Sequence, residues 1–273
     1  MISVILTAYN RKEFLGDALN SLNNQTIKDF EVILITNFDY DLGKFKMKIK
    51  HIISDGNIGK FLCIGISNSS GDIIVFMDDD DLFLNNKLES VNNLFKNNKI
   101  SYFHNQPIFI KGNTKYKRKF KPPDFNMSCI SIRKSVINNY IEYLKELNAA
   151  PDTFFYSISL CSGLTVVNKR VFLTMYRIHG NNSSDISNNE KWLIDDLKMA
   201  YYMINIFKCK KAHNYLKKII FANKLKLYIF YNYNMEKPDS LSNFIIIMEL
   251  WLYYLYDTKK IKFIATKFLK YFL

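Results

Sequence analysis

Short apolar segments alternate with helical patterns along the first hundred residues of the chain. Runs of consecutive apolar residues predict buried strands at 3–8, 32–35, 49–53 and 73–77. Apolar residues spaced three and four apart predict helices at 13–23, 60–68 and 85–97. Strands that are apolar on both faces and joined by helices are typical of a mainly parallel sheet covered on both sides. The pattern therefore predicts an α/β fold.

The pattern changes after residue 100 and again after residue 184. The middle of the chain predicts a hairpin over 101–121 that turns at 112–113, a strand at 127–132, a helix at 135–147, a short helix opening at 151, and strands at 164–167 and 171–178. Beyond residue 184 the chain predicts almost continuous helix with a break at 237–239. We therefore predict one domain over 1–184 and a separate helical region over 185–273.

Positive charge is concentrated in the predicted helical region. The whole chain has a net charge of +13, and residues 208–273 contain thirteen lysines against four acidic residues. Such an excess favours an anionic partner, which leaves nucleic acid, an anionic membrane surface and a phosphorylated substrate open. The apolar segment 244–256, which includes Trp251, is the candidate for a helix lying on a membrane surface. The alternative is that this segment packs as ordinary core.

The cysteines and the amino-terminal residues predict a reducing location. Cys63, Cys129, Cys161 and Cys209 form no C-x-x-C pair and have mainly apolar or small neighbours, which is typical of buried free thiols. The first residues show no basic segment followed by a cleavage site. No run approaches the ~18 uninterrupted apolar residues of a spanning helix. We expect a cytoplasmic protein attached peripherally to the inner face of the cytoplasmic membrane.

Four consecutive aspartates, Asp78 to Asp81, follow the apolar run 73–77 directly. Ligands of parallel sheets bind at the carboxyl ends of the strands, and these aspartates lie at such an end. Like charges held this close favour a bound cation, and hard carboxylate oxygens suit Mg²⁺ or Mn²⁺. The alternative is a solvated acidic turn that caps the next helix.

Four segments, in the same order, resemble the inverting GT-A glycosyltransferases of the family 2 type. They are the opening S-V-I-L-T-A-Y-N-R at 3–11, N-I-G-K at 57–60, the D-x-D segment G-D-I-I-V-F-M-D-D-D-D at 71–81, and Y-R-I-H at 176–179 followed by N-S-S at 182–184. The resemblance covers about residues 1–184. It implies a GT-A (Rossmann-like) fold with a carboxy-terminal helical extension. It also implies transfer of a sugar from a nucleotide-sugar donor with Mn²⁺ or Mg²⁺.

The resemblance also implies which residues hold the donor and its metal. The implied nucleotide-sugar contacts are Thr7, Ala8, Tyr9, Arg11, Asn37, Asp39, Asn57, Gly59, Lys60, Asp78, Asp79 and His179. The implied metal site comprises Asp78, Asp80 and His179, while Asp81 supports them or caps a helix. Because the second strand lacks the family's D-D-G-S ending, the base contact falls on Asn37 or Asp39. The alternatives are a structural hydrogen-bonding role for His179 and a core-edge aromatic role for Tyr9.

An inverting transfer needs one general base to deprotonate the acceptor hydroxyl. In the family this base is an Asp near the start of a helix, usually in a Glu-Asp pair. By resemblance the base is Asp152, although Pro151 replaces the glutamate. The alternative is that Asp152 only caps its helix.

The remaining features concern the acceptor and other kinds of function. The basic run 111–121 indicates an anionic acceptor, either a glycan or a molecule linked to a lipid. Processive synthases of the family carry a Q-x-x-R-W segment, which the chain lacks, so single addition is expected. Two alternatives remain: a non-enzymatic basic module that binds membrane or nucleic acid, and a nucleotidyltransferase of related fold. No nucleic-acid-binding motif supports the former, and no glycine-rich first loop supports the latter.

Overall fold

The computed structural model describes residues 1–118, 120–179, 190–231 and 233–234. The chain divides into two compact units, Met1–Asn182 and Ser183–Leu273, and each is described by itself. The predicted helix break at 237–239 and the predicted membrane-surface segment 244–256 lie outside the described residues.

A mixed sheet forms the centre of the first unit. Its strands are β1 (Ile2–Ala8), β2 (Phe30–Thr36), β3 (Lys48–Ile53), β4 (Ile73–Asp78), β5 (Leu82–Phe83), β6 (Ile100–Lys111), β7 (Thr114–Tyr116), β8 (Ile130–Arg133) and β9 (Thr165–Arg177). The order is β3-β2-β1-β4-β8-β6-β9-β5, with β7 paired to β6. Strands β1 to β4 are parallel to one another, and β8 is antiparallel to both of its neighbours. The predicted α/β fold with a mainly parallel sheet is confirmed.

Helices cover both faces of the parallel strands. They are α1 (Leu15–Asn23), α2 (Ile58–Ser67), α3 (Lys87–Phe95), α4 (Lys134–Ile137) and α5 (Pro151–Cys161). Apolar residues of α1 and α3 join Val4 and Leu6 of β1 in one core. On the other face, α2 places Gly65 against Ile5 and Ile35. Since successive side chains of a strand point to opposite faces, the two layers account for the continuous apolar runs in the sequence.

Four predicted elements in the middle of the chain are wrong in detail. The predicted helix 135–147 is the short α4 followed by a 3₁₀ helix, Asn138–Glu146. Leu144 is the buried residue of this 3₁₀ helix, and the buried Leu147 follows its last residue directly. The predicted strand 127–132 begins as a 3₁₀ turn, Met127–Cys129. The strands predicted at 164–167 and 171–178 are the single β9, whose pairing with β6 has irregularities that accommodate the polar residues between them.

The expectation of four free thiols is wrong for two of the cysteines. Cys63 and Cys129 are free and buried, as expected, whereas Cys161 and Cys209 are each disulfide-bonded. Apolar neighbours in the sequence indicate that a cysteine is buried, but they do not indicate whether another sulfur lies within bonding distance.

The described part of the second unit consists of two helices, α6 (Glu190–Ile206) and α7 (Lys210–Tyr231). They pack against each other, and the buried amide of Asn223 donates a hydrogen bond to the carboxylate of Asp196. The predicted carboxy-terminal helices are therefore present. Among the described residues, no helix combines the length and the apolar character that crossing a membrane requires.

The first turn of α2 is fastened to the chain segment that precedes α5. The Gly59 amide donates to the carbonyl of Leu147 at 3.0 Å. The Asn57 side chain caps α2 by accepting from the Lys60 amide at 2.7 Å, and it donates to the carbonyl of Lys145 at 2.9 Å. A Cβ atom at position 59 would lie 1.7 Å from the carbonyl oxygen of Leu144. Glycine is therefore required at position 59 for the close approach of two backbone segments.

We predict that Gly59→Ala lowers the free energy of unfolding by about 3 kcal/mol, because the added methyl group forces two backbone segments apart. Gly112→Ala is the matched control: its φ of +54° is also unfavourable for alanine, but no atom lies within 4 Å of the added Cβ. The control should lose only about 1 kcal/mol. Urea denaturation of both variants checks the prediction, and equal losses would contradict it.

Candidate functional site

The aspartate tetrad lies where the parallel strands of the sheet end. Asp78 is the last residue of β4, and it pairs with Thr7 near the end of β1. The loops that follow β1, β2 and β4 therefore emerge at one edge of the sheet, as expected for a ligand site of a parallel sheet. Asp79, Asp80 and Asp81 are all buried, which excludes the alternative of a solvated acidic turn.

Asp81 has structural partners. Its carboxylate accepts hydrogen bonds from the Asn126 side-chain amide at 2.9 Å and from the Arg177 backbone amide at 3.1 Å. Burial, followed by the charge of Asp80, raises the pKa of Asp81 to about 7. It does not cap α3, whose cap residue is Asn86. Asp81 therefore joins the tetrad to the end of β9, in line with the predicted supporting role.

Arg11 neutralises the middle of the tetrad. Its guanidinium makes two hydrogen bonds to the carboxylate of Asp79, from Nε at 2.8 Å and from Nη2 at 2.6 Å, and Nη2 lies 2.9 Å from Oδ2 of Asp80. The hydrogen bond to Asp79 and the charges of both aspartates raise the pKa of Arg11 despite its burial. Paired hydrogen bonds of this kind fix the geometry of both partners. Arg11 thus connects the loop after β1 to the turn after β4.

His179 lies beside the tetrad, as the resemblance implies. Its Nε2 is 2.9 Å from Oδ2 of Asp80 and 3.3 Å from Nη1 of Arg11. Its ring packs against Phe14, with 5.2 Å between the ring centroids. Two residues earlier, Arg177 donates from Nε to the carbonyl of Asp80 at 2.9 Å. The end of β9 therefore returns to the turn that follows β4.

The carboxylates fit a divalent cation that takes its remaining ligands from a substrate. Within the described ranges, no group of three or more His, Cys, Asp or Glu side chains could hold a metal by itself. The implied trio of Asp78, Asp80 and His179 is therefore not a complete ligand set, because His179 is bonded to Asp80. Burial and the charges of Asp81, Asp80 and Asp79 raise the pKa of Asp78. Such a site is short of positive charge, and Mg²⁺ is commonly held by one or two carboxylates plus substrate phosphates.

We predict that Arg11→Met lowers the free energy of unfolding by about 3 kcal/mol, because it leaves two buried carboxylates without their cation. The exposed Arg170 provides the control, since Arg170→Met removes the same charge from β9 away from any described ion pair. Chemical denaturation at pH 7 checks the difference. A loss of less than about 1 kcal/mol in the Arg11 variant would show that the pair behaves like an exposed ion pair.

The implied nucleobase contacts surround the end of β1. Thr7 and Ala8 are buried, whereas the Tyr9 side chain is half exposed and packs edge-on against Phe61 at 5.8 Å between centroids. Asn37 accepts a hydrogen bond from the Asn10 backbone amide at 2.8 Å. Asn37 is thus engaged in holding the loop after β1, while Tyr9 presents part of its ring to solvent.

The remaining residues implied to contact the nucleotide sugar lie in the loop after β2 and at the start of α2. The Asp39 carboxylate accepts a hydrogen bond from the backbone amide that follows it, at 3.0 Å. Asn57 and Gly59 fasten the start of α2, as described above. Lys60 lines a small cavity together with Gly56, Cys63 and Lys145. None of the described contacts of the tetrad involves Lys60, so its implied donor contact stays a prediction.

Asp152 lies in the first turn of α5, which follows Ala150 in a left-handed conformation with φ of 53°. Its carboxylate accepts a hydrogen bond from the backbone amide of Thr153 at 2.9 Å. The charge of Asp152 also contributes to the raised pKa of Asp78. The structure therefore places the candidate base in electrostatic range of the tetrad, although 74 sequence positions separate the two residues.

Sequence reasoning missed a second carboxylate on the side of the site where Asp152 lies. Asp124 accepts a hydrogen bond from the hydroxyl of Thr153 at 3.2 Å, and Asp124 and Asp152 both raise the pKa of the buried Tyr102 after the larger effect of burial. The sequence signal was the turn-forming Pro122-Pro123 pair directly before Asp124. Thr153 thus contacts two aspartates, one through its backbone and one through its side chain.

Residues 121–126, named here the strap, are held across the sheet by buried polar side chains. Tyr102 donates to the carbonyl of Pro123, and Nε2 of His104 lies 2.8 Å from the carbonyl of Phe125. Burial lowers the pKa of His104, so the neutral ring can donate from Nε2. The carbonyl of Lys121 accepts from both Gln106 and Asn168 at 3.2 Å. Three alternate residues of β6 therefore fix the backbone of the strap.

A buried lysine under the tetrad was also missed. Lys87 is fully buried and donates from Nζ to Asn105 and Thr174, each at 2.9 Å, and to the carbonyl of Ser128. Burial lowers the pKa of Lys87 to about 8. The hydroxyl of Ser128 in turn accepts from the Asp78 amide at 2.9 Å. Ser128 thus joins a buried cation to the turn that carries the carboxylates.

The sequence comparisons give one consistent result. The family model described as "Glycosyl transferase family 2" matches residues 3–165. An uncharacterized glycosyltransferase of Rickettsia bellii is 27% identical over 225 residues, which cover 75% of this chain and 32% of the relative. One from Methanocaldococcus jannaschii is 24% identical, with 84% and 88% covered. The alignments with relatives from Rickettsia bellii, Rickettsia conorii and Haemophilus influenzae each cover about a third of the relative's length or less.

Solved structures show the same fold. Staphylococcus aureus TarS in complex with UDP-GlcNAc has a TM-score of 0.61 at 17% identity, with 84% of this chain and 73% of the other covered. The mannosyltransferase PcManGT from Pyrobaculum calidifontis, in complex with GDP-Man and Mn²⁺, has a TM-score of 0.57 at 12% identity, with 99% and 86% covered. At these identities the likeness concerns the fold, and it confirms the GT-A class predicted from the sequence.

Proposed function

The chain belongs to glycosyl transferase family 2 and is a glycosyltransferase, and we propose that it transfers one sugar, with inversion, from a nucleotide-sugar donor to an acceptor hydroxyl with the help of Mn²⁺ or Mg²⁺. The observation that carries the proposal is the meeting of Arg11, Asp78 to Asp80 and His179 at the carboxyl end of β4. The donors named in the two solved structures, UDP-GlcNAc and GDP-Man, support a nucleotide-sugar donor. The family match sets aside the nucleotidyltransferase and the non-enzymatic module.

In the proposed complex, Asp78 and Asp80 hold the divalent cation, and His179 lies beside it. A bound divalent ion would neutralise the charge that develops on the diphosphate as it leaves. Within the described chain, the contacts of the Asp80 carboxylate with His179 and Arg11 both use Oδ2, so Oδ1 is the oxygen that we propose for the cation. Arg11 keeps the carboxylate of Asp79 in place through its paired hydrogen bonds.

The loops after β1 and β2 are the proposed nucleobase side of the donor site. The half-exposed ring of Tyr9 offers a face on which a base can pack. Thr7 and Ala8 form the wall behind it, and Asn37 or Asp39 supplies the polar contact. The side-chain oxygen of Asn37 already accepts a hydrogen bond from the Asn10 amide. Asp39 is therefore the better candidate for a hydrogen bond to the base.

Asp152 is the proposed general base. A carboxylate within hydrogen-bond reach of the acceptor hydroxyl can take its proton as the oxygen attacks the anomeric carbon. The left-handed Ala150 and the proline at the start of α5 set the direction of this first helical turn. The negative charge of Asp152 is one of the charges that raise the pKa of Asp78, and this proximity supports the assignment. The reaction would then run between the tetrad and α5.

The acceptor in this proposal is a glycan or a lipid-linked molecule that receives a single sugar. The strap and the basic hairpin formed by β6 and β7 are its proposed binding side. Asp124 of the strap contacts Thr153, the neighbour of Asp152, and the hairpin precedes the strap in the chain. We further propose that the basic carboxy-terminal region holds the enzyme on an anionic membrane surface. The charge excess of that region supports this attachment.

A thermal-shift screen tests the donor and the metal together. UDP-, GDP- and dTDP-sugars are added to the full chain with and without Mn²⁺, and one of them should raise the unfolding temperature in a metal-dependent way. Ligand at 100 times its dissociation constant stabilises the folded state by about 2.7 kcal/mol, which is well within the resolution of the method. If no nucleotide sugar stabilises the protein with Mn²⁺, the proposal is wrong.

A further inference from the structure

Aromatic rings cluster where β6, β7 and β9 meet the strap. Phe109 lies at the centre, with ring centroids 5.4 Å from Tyr176, 5.8 Å from Tyr116 and 6.1 Å from Phe125. Phe125 and Tyr176 are 5.6 Å apart. Phe109 and Tyr176 are buried. These four residues, named here the aromatic platform, form a rigid base at the root of the basic hairpin.

Cations of the basic run lie on this platform. The guanidinium of Arg118 lies 4.7 Å from the centroid of Phe109, and its Nη2 donates to the hydroxyl of Tyr116 at 3.0 Å. The ammonium of Lys121 lies 5.4 Å from the centroid of Phe109 and 4.8 Å from that of Phe125. Two cations therefore share one ring, and contacts of this kind hold a charged group in a defined place.

These cations have no acidic partner in the part of the chain that the structure describes. No carboxylate there lies within 4.0 Å of the charged groups of Lys117, Arg118 or Lys121, whereas each ion pair that the structure shows lies elsewhere. Burial, and then the charge of Arg118, lowers the pKa of Lys121. Like charges held together without a counter-ion bind an anion more readily than scattered surface lysines do.

The position of Lys121 in the chain places the positive charge on the aromatic platform near the proposed general base. Lys121 is the first residue of the strap, and Gln106 bonds to both its backbone amide and its carbonyl. Three residues later Asp124 contacts Thr153, the neighbour of Asp152. Since the backbone of the strap is fixed by buried side chains, an anion held by Lys121 would lie on the acceptor side of the site.

We propose that Arg118 and Lys121, on the aromatic platform, form a subsite for a phosphate group of the acceptor. The inference rests on the proposed function and narrows its acceptor to phosphate-bearing molecules. A guanidinium and an ammonium are the two side-chain groups that bind phosphate best, the first through a planar fork and the second as a point charge. The phosphate can belong to a phosphodiester-linked glycan or to a lipid headgroup, and the experiment separates the two.

Calorimetric titration of the full chain with glycerol 3-phosphate, at low ionic strength and with glycerol as the uncharged control, tests the subsite. In the double variant Arg118→Gln/Lys121→Gln the affinity should fall about tenfold or more, since hydrogen bonds to charged groups are lost. The matched control Lys111→Gln/Lys115→Gln removes the same charge from the same hairpin and should change the affinity less than about twofold, because screening weakens distant charges. Equal losses in both pairs, no loss in the first pair, or no binding by the wild type would overturn the proposal.

Two further measurements are made. The first identifies the source of the phosphate, and the second tests the proposed function separately from the subsite. In one arm, vesicles containing phosphatidylglycerol replace glycerol 3-phosphate, and the two double variants are compared with the wild type. Weaker vesicle binding by Arg118→Gln/Lys121→Gln than by the control pair assigns the subsite to a lipid headgroup, whereas equal vesicle binding by both pairs assigns it to a phosphodiester-linked glycan. In the other arm, the Mn²⁺-dependent shift by a nucleotide sugar should be unchanged in Arg118→Gln/Lys121→Gln. A lost shift in this variant would overturn the separation of the subsite from the donor site. A missing shift in the wild type would reject the proposed function and leave the phosphate result to stand by itself.

Discussion

Replacing Asp152 with Asn should reduce sugar transfer by about 10²- to 10⁴-fold, which is the usual contribution of a general base. Asparagine keeps the size of the side chain and the oxygen that accepts from the Thr153 amide, so the start of α5 should remain intact. It cannot take the proton of an acceptor hydroxyl. The donor found in the thermal-shift screen should still stabilise the variant to the same extent. Release of the nucleoside diphosphate, followed over time, measures the loss.

Asp124→Asn is the matched control for this experiment. It removes a carboxylate that contacts the same Thr153 at 3.2 Å, and the strap keeps its backbone anchors. We expect its rate of transfer to fall less than about tenfold, because no proton has to pass through it in the proposed reaction. If Asp124→Asn is the more damaging substitution, the base is assigned to the wrong carboxylate. If both variants lose donor binding, the substitutions have changed the fold of the site.

Replacing Asp80 with Ala should abolish the Mn²⁺-dependent part of donor binding. Asp80 is the carboxylate on which Arg11 and His179 converge, and a divalent ion needs its oxygen in addition to those of the diphosphate. With donor at 100 times the wild-type dissociation constant, the variant should lose a stabilisation of about 2.7 kcal/mol. The thermal shift with Mn²⁺ should then equal the shift without it.

Asp81→Asn separates loss of the metal from damage to the turn. Asp81 is fully buried, and its partners are Asn126 and Arg177. This variant should unfold at a lower temperature, yet keep its metal-dependent increment with the donor. A full increment in Asp80→Ala would mean that Asp80 does not bind the metal, even if the donor still binds.

The backbone frame of the site was predictable from the sequence, because it depends on local pattern. The apolar runs before Ala8 and Asp78 identify β1 and β4 as buried parallel strands, and parallel strands bring their carboxyl ends together. The resemblance in the segment 176–179 added His179, which the structure places 2.9 Å from Asp80. The first prediction follows from apolar runs, which show well where a buried strand ends, whereas the second follows from the resemblance alone.

The partners of the charged side chains were not predictable in the same way. Arg11 pairs with Asp79 across 68 positions and Lys87 bonds to Thr174 across 87, and no periodic pattern encodes contacts between such remote residues. The polar residues Tyr102, His104 and Gln106 alternate along β6 and could have indicated a buried polar face, but their partners are backbone carbonyls that any sequence provides. The prediction of a helix over 135–147 likewise did not distinguish a 3₁₀ helix from an α-helix.

The anchoring of the strap has a consequence for how this enzyme can change. Its hydrogen bonds to the sheet end on backbone groups of Lys121, Pro123 and Phe125, so the anchors remain when the side chains of the strap are replaced. The side chains that hold the strap, Tyr102, His104 and Gln106, lie on β6 and are buried. Substitutions at 121 and 124 can therefore be combined in a library without dismantling the support beneath them, whereas the side chain of Asn126 is needed to hold Asp81. Selection for new acceptors, in evolution or in the laboratory, has a short and mechanically independent segment on which to act.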